Sequence, residues 1–138
     1  DTAWAMSEEK VEIARAFMTA YNAGDVEGLI GLLDPDATMT TISQRGGLPS
    51  KRWTPDQIRA YFEQLDETWL DVRAEIEDYR VHADHVVALG RLCGTGRSSG
   101  VELDAPIATV FLVKNSQLVR VDSYGDWSEG LKAAGLSE

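Results

Sequence analysis

One cysteine, Cys93, stands among 138 residues. A lone thiol closes no internal disulfide and cannot build a cysteine-based metal knot, so a disulfide-stapled scaffold is excluded and a reducing, cytoplasmic setting is expected. Basic residues are scarce too. Thirteen Lys and Arg against 23 Asp and Glu leave a formal net charge of −10, which repels nucleic-acid phosphates and anionic membrane surfaces; no nucleic-acid or membrane partner is expected. No apolar run approaches the roughly 20 residues of a spanning helix. Residues 1–6 lack the basic and apolar regions of a secretory signal. They are expected to stand outside the fold, as an appended remnant or a disordered N-terminus, with one domain over residues 7–138. Histidine is limited to His82 and His85, which sit in a polar turn rather than on one helix face, poor geometry for a shared metal. No repeat, low-complexity tract or cofactor motif is present. The glycine-rich 94–100 stretch, GTGRSSG, links two strand-like runs and opens no helix, so it lacks the amide cradle of a phosphate loop.

What remains is an ordinary globular composition, 43% hydrophobic and 26% charged, long enough for one packed core. The most informative stretch is Leu103 to Trp127. Two β-type runs, Pro106 to Val113 and Leu118 to Tyr124, flank the turn-forming residues Lys114 to Gln117. The second run alternates, with Val119, Val121 and Ser123 on one face and Arg120, Asp122 and Tyr124 on the other. Upstream, Val86 to Thr95 and Val72 to Val81 read as strands joined by a turn at His82 to His85. Ala37 to Ile42 is a short β-branched strand, and Ser43 to Lys51 a loop.

Helices are signalled as clearly. Ser7 is a suitable N-cap, and Val11, Ala14, Met18 and Tyr21 make an apolar stripe widened by Ile13, Phe17 and Ala20. Gly24 stops this helix and Asp25 caps the next, which carries Val26, Leu29, Ile30, Leu32 and Leu33 up to the Asp34-Pro35-Asp36 turn. Thr54-Pro55-Asp56-Gln57 is a capping box with proline at the first helical position, opening a third helix whose stripe is Ile58, Tyr61, Phe62 and Leu65. A short helix from Ser128 to Ala134 follows, with Asp126 as cap and Gly135 as stop. The order predicts an α+β fold, a curved and mostly antiparallel sheet with helices packed on one face.

The stretches Tyr21 to Val26 (YNAGDV), Leu32 to Ala37 (LLDPDA), Gly100 to Pro106 (GVELDAP), Leu118 to Val121 and Ala133 to Leu136 resemble, in order and spacing, the SnoaL-like proteins of the NTF2-like superfamily. The resemblance implies a bent sheet wrapped around three N-terminal helices, enclosing a deep apolar pocket. It also implies a homodimer formed through the outer sheet face. It further implies a small hydrophobic ligand, cyclic or polyketide-like, and a fold that serves cyclases, isomerases, dehydratases, hydrolases and non-catalytic binding proteins alike.

Catalytic positions of two related enzymes transfer poorly. The ketosteroid isomerase donor, base and second donor fall on Phe17, Thr41 and Ala108, none able to fill its role. Of the limonene-epoxide hydrolase set, Arg91 matches the arginine, while the carboxylates fall on Cys93 and Ser123 and the tyrosine on Thr40. Arg91 is therefore the candidate catalytic residue. Strand alternation groups it with Val87, Leu89 and Cys93, and on a pocket wall it would bind a carboxylate or enolate. Asp34, Asp104 and Asp126 are its conceivable ion-pair partners. Phe17, Tyr21, Thr41, Ser43, Cys93, Ala108, Val121 and Ser123 are the candidate ligand contacts, with no cofactor required. Two readings stand side by side: an enzyme with an unidentified base, and a ligand-binding module on the same shell. Cys93 reads equally as a small buried thiol, and Trp53, Trp69 and Trp127 as packing residues.

Overall fold

The computed structural model describes residues 2–41 and 52–137, with side chains from Ala5 onward. Helix α1 (Thr2–Ala23) is followed by α2 (Val26–Ile30), strands β1 (Leu33–Thr40) and β2 (Arg52–Trp53), a 3-10 turn (Pro55–Gln57) and α3 (Ile58–Thr68). Strands β3 (Trp69–His82), β4 (His85–Gly96), β5 (Glu102–Lys114) and β6 (Gln117–Tyr124) follow, then α4 (Trp127–Ala133). The six strands form one sheet in the order β2-β1-β6-β5-β4-β3. Every pairing is antiparallel except β1 with β6. Among the described helices, none is long and apolar enough to cross a membrane.

The local signals act as their chemistry requires. Gly24 takes φ +67°, the left-handed conformation that stops α1. Asp25 then caps α2 by accepting from the Gly28 amide at 2.9 Å. The Gln57 side chain accepts from the Thr54 amide at 3.0 Å, closing the turn that launches α3. Asn115 and Ser116 both have positive φ, the primed-turn geometry that matches the twist of the β5–β6 hairpin. Asp126 accepts from the Ser128 and Glu129 amides and so caps α4.

Three expectations are corrected. Helix α1 begins at Thr2, not Ser7, because three of the residues before Ser7, Ala3, Ala5 and Met6, are good helix formers. Helix α2 ends at Ile30, and Leu33 with Asp34-Pro35-Asp36 belongs to β1 rather than to a helix end. Strand pairing overrides the apolar stripe there: the Leu118 amide donates to the Leu32 carbonyl at 2.9 Å and Leu33 aligns with Leu118. Pro35, which has no amide to donate, sits in the irregular stretch where the β1–β6 register shifts. Third, Val119 does not share a face with Val121. A register shift between Leu112 and Val113 leaves Val119 as an extra residue, and Leu118 turns inward instead, fully buried. The 43–51 loop, and Ile42 of the expected first strand, lie outside the described residues.

The sheet has two apolar faces. The inner one carries Ala88 and Leu92 of β4, Phe111 and Val113 of β5, and Val121 of β6, packed with Ala14, Phe17 and Met18 of α1. The outer one carries Val87, Leu89, Ala108 and Val110, covered by Leu131 and Ala134 of the α4 end of the chain. Helix α4 approaches this closely because Gly130 has no side chain: a Cβ there would lie 2.4 Å from that of Ala108. Trp127 anchors the helix by donating to the Gly90 carbonyl at 3.0 Å. His82 Nδ1 lies 2.9 Å from the Ala134 carbonyl at the far end.

Strand β3 is one edge of the sheet, where unpaired backbone groups would be exposed. Asn22 at the end of α1 covers two of them, both on Ala74. Its side-chain amide donates to the Ala74 carbonyl at 2.9 Å and its carbonyl accepts from the Ala74 amide at 2.8 Å. A side chain thus takes the place of a missing strand and locks α1 to the sheet.

Candidate functional site

Between the helices and the inner sheet face lies a cavity of about 100 Å³. Helix α1 lends Phe17, Met18 and Tyr21 to its wall, and α3 lends Tyr61 and Leu65. The sheet side is Met39 and Thr40 of β1, Val72 and Ala74 of β3, Leu92 of β4, Ile107 and Thr109 of β5, and Val121 and Ser123 of β6, with Thr41 just beyond β1. Local sequence explains the arrangement. Ile107, Thr109 and Phe111 alternate inward along β5, while Tyr61 and Leu65 are one helical turn apart on α3.

An aromatic cluster frames the helix wall. Phe17 meets Phe111 edge-on at 5.2 Å between ring centres. Tyr61 contacts both Trp53, at 5.1 Å, and Phe62, at 5.4 Å. These rings hold the Tyr21 and Tyr61 hydroxyls 3.3 Å apart. On the sheet wall Thr109, a buried polar residue, pairs its hydroxyl with that of Ser123 at 3.2 Å.

Burial pushes the Tyr61 phenol well above its ordinary value of 10.0, and the neighbouring Tyr21 raises it further. Burial likewise raises Tyr21, against a smaller opposing effect of its bond to Tyr61. Both phenols are therefore neutral donors at physiological pH and cannot act as resting phenolate bases. The consequence for stability follows from linkage. Their folded-state proton affinity exceeds the unfolded one, so their contribution is complete below pH 10 and is lost as pH rises beyond it. Wild-type protein is expected to lose stability steeply above about pH 10, and Tyr61→Phe to lose it less steeply. Denaturant melts between pH 8 and 11 measure this; identical slopes for the two proteins would contradict the burial of Tyr61.

Of the residues expected at the site, Phe17, Tyr21, Thr41, Val121 and Ser123 do surround the cavity. Ser43 lies outside the described residues. Arg91, Cys93 and Ala108 are on the opposite face of the sheet. Arg91 pairs with Asp104 at 2.5 Å with 44% of its side chain exposed, and the Asp104 carboxylate holds its guanidinium charged. Cys93 lies beside the same carboxylate, its thiol pushed up chiefly by burial. Ala108 is sealed under Gly130 of α4. The parity error has a physical origin. Val87 and Leu89 are as apolar as Val86 and Ala88 because α4 covers them, so alternation along β4 does not reveal which face is inward. Asp34 and Asp126, the other conceivable partners of Arg91, serve their own backbone turns.

Sequence reasoning missed Thr109, Met39, Leu92, Ile107, Val72 and Ala74 as wall residues, and treated Tyr61 only as part of a buried stripe. Thr109 carried a signal: a hydroxyl at an inward position between Ile107 and Phe111. Among the described residues no carboxylate, imidazole, amine or guanidinium lines the cavity, and no three His, Cys, Asp or Glu side chains converge as metal ligands.

A six-stranded curved sheet enclosing a cavity against α1 and α3 defines the NTF2-like, or cystatin-like, α+β class. The profile of the SnoaL-like domain matches residues 14–121, and the chain belongs to that family. A protein of Burkholderia thailandensis E264 described as NTF2-like superposes with a TM-score of 0.74 at 22% identity, covering 86% of this chain and 91% of its own. A hypothetical protein of Catenulispora acidiphila DSM 44928 with a ketosteroid isomerase-like fold, crystallised with trimethylamine, gives 0.73 at 21% identity, covering 91% and 93%. TerC, co-crystallised with polyporic acid, gives 0.74 at 17% identity, covering 86% and 92%. At these identities the likeness is one of fold. Comparison with curated proteins finds no match.

Proposed function

We propose that this protein is a binding module that takes up a small, uncharged, largely apolar molecule in the cavity between α1, α3 and the inner sheet face. The observation that carries this reading is the character of the described wall: aliphatic and aromatic side chains with neutral hydroxyls, and no charged group. Removing a carbon-bound proton or activating water calls for a base, and the described wall offers hydroxyls alone. The expected Arg91 anchor lies on the other side of the sheet, which favours binding over the isomerase or hydrolase reading. Apolar walls with a few placed polar groups are the usual composition of small-molecule sites.

A titration with benzene or cyclohexane, followed by amide NMR shifts, tests the reading. Saturable shifts are expected at cavity residues, with affinity constant from pH 5 to 9 and unchanged within about twofold in Arg91→Met, since an exposed ion pair contributes little. A bell-shaped pH profile, or loss of binding in Arg91→Met, would argue for acid–base chemistry instead.

We also propose that a second copy of the chain docks on the outer face left open by α4. Charges of both signs alternate there, with Arg73 to Glu75 at 2.9 Å and Arg91 to Asp104 at 2.5 Å. A patch that carries both signs can complement a second copy of itself across a two-fold axis. Light scattering at micromolar concentration is expected to give a dimer mass; a monomer mass would remove this proposal.

A further inference from the structure

We infer that the ligand of this cavity is a single-ring molecule carrying two uncharged oxygen functions, one read by the helix wall and one by the sheet wall. The inference rests on the binding reading above and narrows it to a ligand class.

Size comes first. A dry apolar cavity of roughly 150 Å³ is enough to hold benzene. At about 100 Å³ and partly open to solvent, this cavity is smaller than that, which limits its ligand to one ring with an edge reaching into the opening and excludes a fused polycyclic body. Phe17, Leu92 and Ile107 are buried in the surrounding core, so the walls do not give way cheaply.

Polarity comes next. The cavity has two hydroxyl pairs on separate layers of the fold: Tyr21 with Tyr61 from α1 and α3, and Thr109 with Ser123 from β5 and β6. Each pair has two protons and uses one in its mutual bond. Among the described residues neither pair has a further hydrogen-bond partner, so each keeps one proton to donate and lone pairs to accept. Leaving that second proton of each pair unused in a buried site is costly, which makes it a standing preference for a ligand that accepts it. A carbonyl or hydroxyl oxygen does so at either wall. A carboxylate or ammonium would enter a wall that offers no counter-charge among the described residues. One hydroxyl pair on the helix wall and one on the sheet wall, with Met39, Val72, Leu92 and Val121 among the apolar residues of the same lining, suit a ring with two oxygen functions, such as a cyclic dione or hydroxyketone.

Cyclohexane, cyclohexanone, cyclohexane-1,4-dione and cyclohexanecarboxylate form a matched set for calorimetry or NMR titration. Affinity is expected to rise by about three- to tenfold with each ketone oxygen, the effect of one net hydrogen bond, and to fall for the carboxylate. In the double variant Thr109→Val with Ser123→Ala, and separately in Tyr21→Phe with Tyr61→Phe, each of which removes both hydroxyls of one pair, the dione is expected to bind only as well as cyclohexanone does to wild type, while cyclohexane is unaffected. Equal affinity for cyclohexane and the dione, or tighter binding of the carboxylate, overturns the two-oxygen inference and leaves the binding reading in place. Failure of all four to bind overturns both.

Discussion

Gly90→Ala is expected to destabilise the protein by about 3 kcal/mol or more, enough to leave much of it unfolded at moderate temperature. A Cβ at this position would lie 2.0 Å from the Glu75 carbonyl oxygen and 2.8 Å from the Ile76 Cα. Both obstacles are backbone, so no side-chain rotation relieves the clash. Strand β3 would have to move away from β4 at the place where their register already shifts, between Ile76 and Asp78. The neighbouring Gly90 carbonyl accepts from Trp127, so displacement would also loosen α4 over the outer face. Chemical denaturation monitored by circular dichroism measures the loss; a change under about 1 kcal/mol would show that the close approach of the two strands is readily relaxed.

Ala74→Leu is expected to weaken ligand binding about a hundredfold while leaving the fold intact. Ala74 borders the cavity from β3, and Asn22 pins both its amide and its carbonyl, so a longer side chain has to grow into the void. Burial of one apolar ring contributes about 2–3 kcal/mol, and its loss corresponds to roughly a hundredfold weaker binding of a cyclic ligand. Filling space already present costs less than overpacking a tight core, so stability is expected to stay within about 1 kcal/mol of wild type. Undiminished affinity in the folded variant would place the ligand elsewhere and remove the cavity as the binding site.

The two substitutions act on neighbouring positions of one strand pair, and the contrast between them bears on how the site is held. Gly90 sets how closely β4 approaches β3, whereas Ala74 sets how much space remains once they have met. A weakened β3 edge would blur the cavity wall even in a protein that still folds. For that reason Asn22, which does not itself line the cavity but holds Ala74, belongs to the architecture of the site.

Much of the fold was legible because the signals are local. The Gly24 stop, the Asp25 cap, the Thr54–Gln57 capping box and the Lys114–Gln117 turn each depend on residues within about one helical turn of one another, so their geometry follows from short-range hydrogen bonding and φ preferences. Strand content followed from β-branched runs. The misreadings share the opposite property. Leu33 joins β1 because β6, far along the chain, offers a partner, and Val119 becomes a bulge because of the pairing with Leu112 and Val113.

For the site, the sequence by itself determined that the chain belongs with α+β proteins, that its N-terminal helices carry an apolar stripe for an inner sheet face, and that Phe17, Tyr21, Val121 and Ser123 were candidates for one wall. The tertiary structure decided which face of β4 is inward. It placed α4 over Val87, Leu89, Ala108 and Val110, turned Arg91 outward to Asp104, and brought Tyr61 to Tyr21 and Thr109 to Ser123. Alternation fixes the relative parity of a strand's residues and carries no information about which parity faces the helices when both faces are apolar. That choice is made by the packing of elements distant in sequence, and it changes the cavity from one with a guanidinium to one walled, among the described residues, by neutral groups.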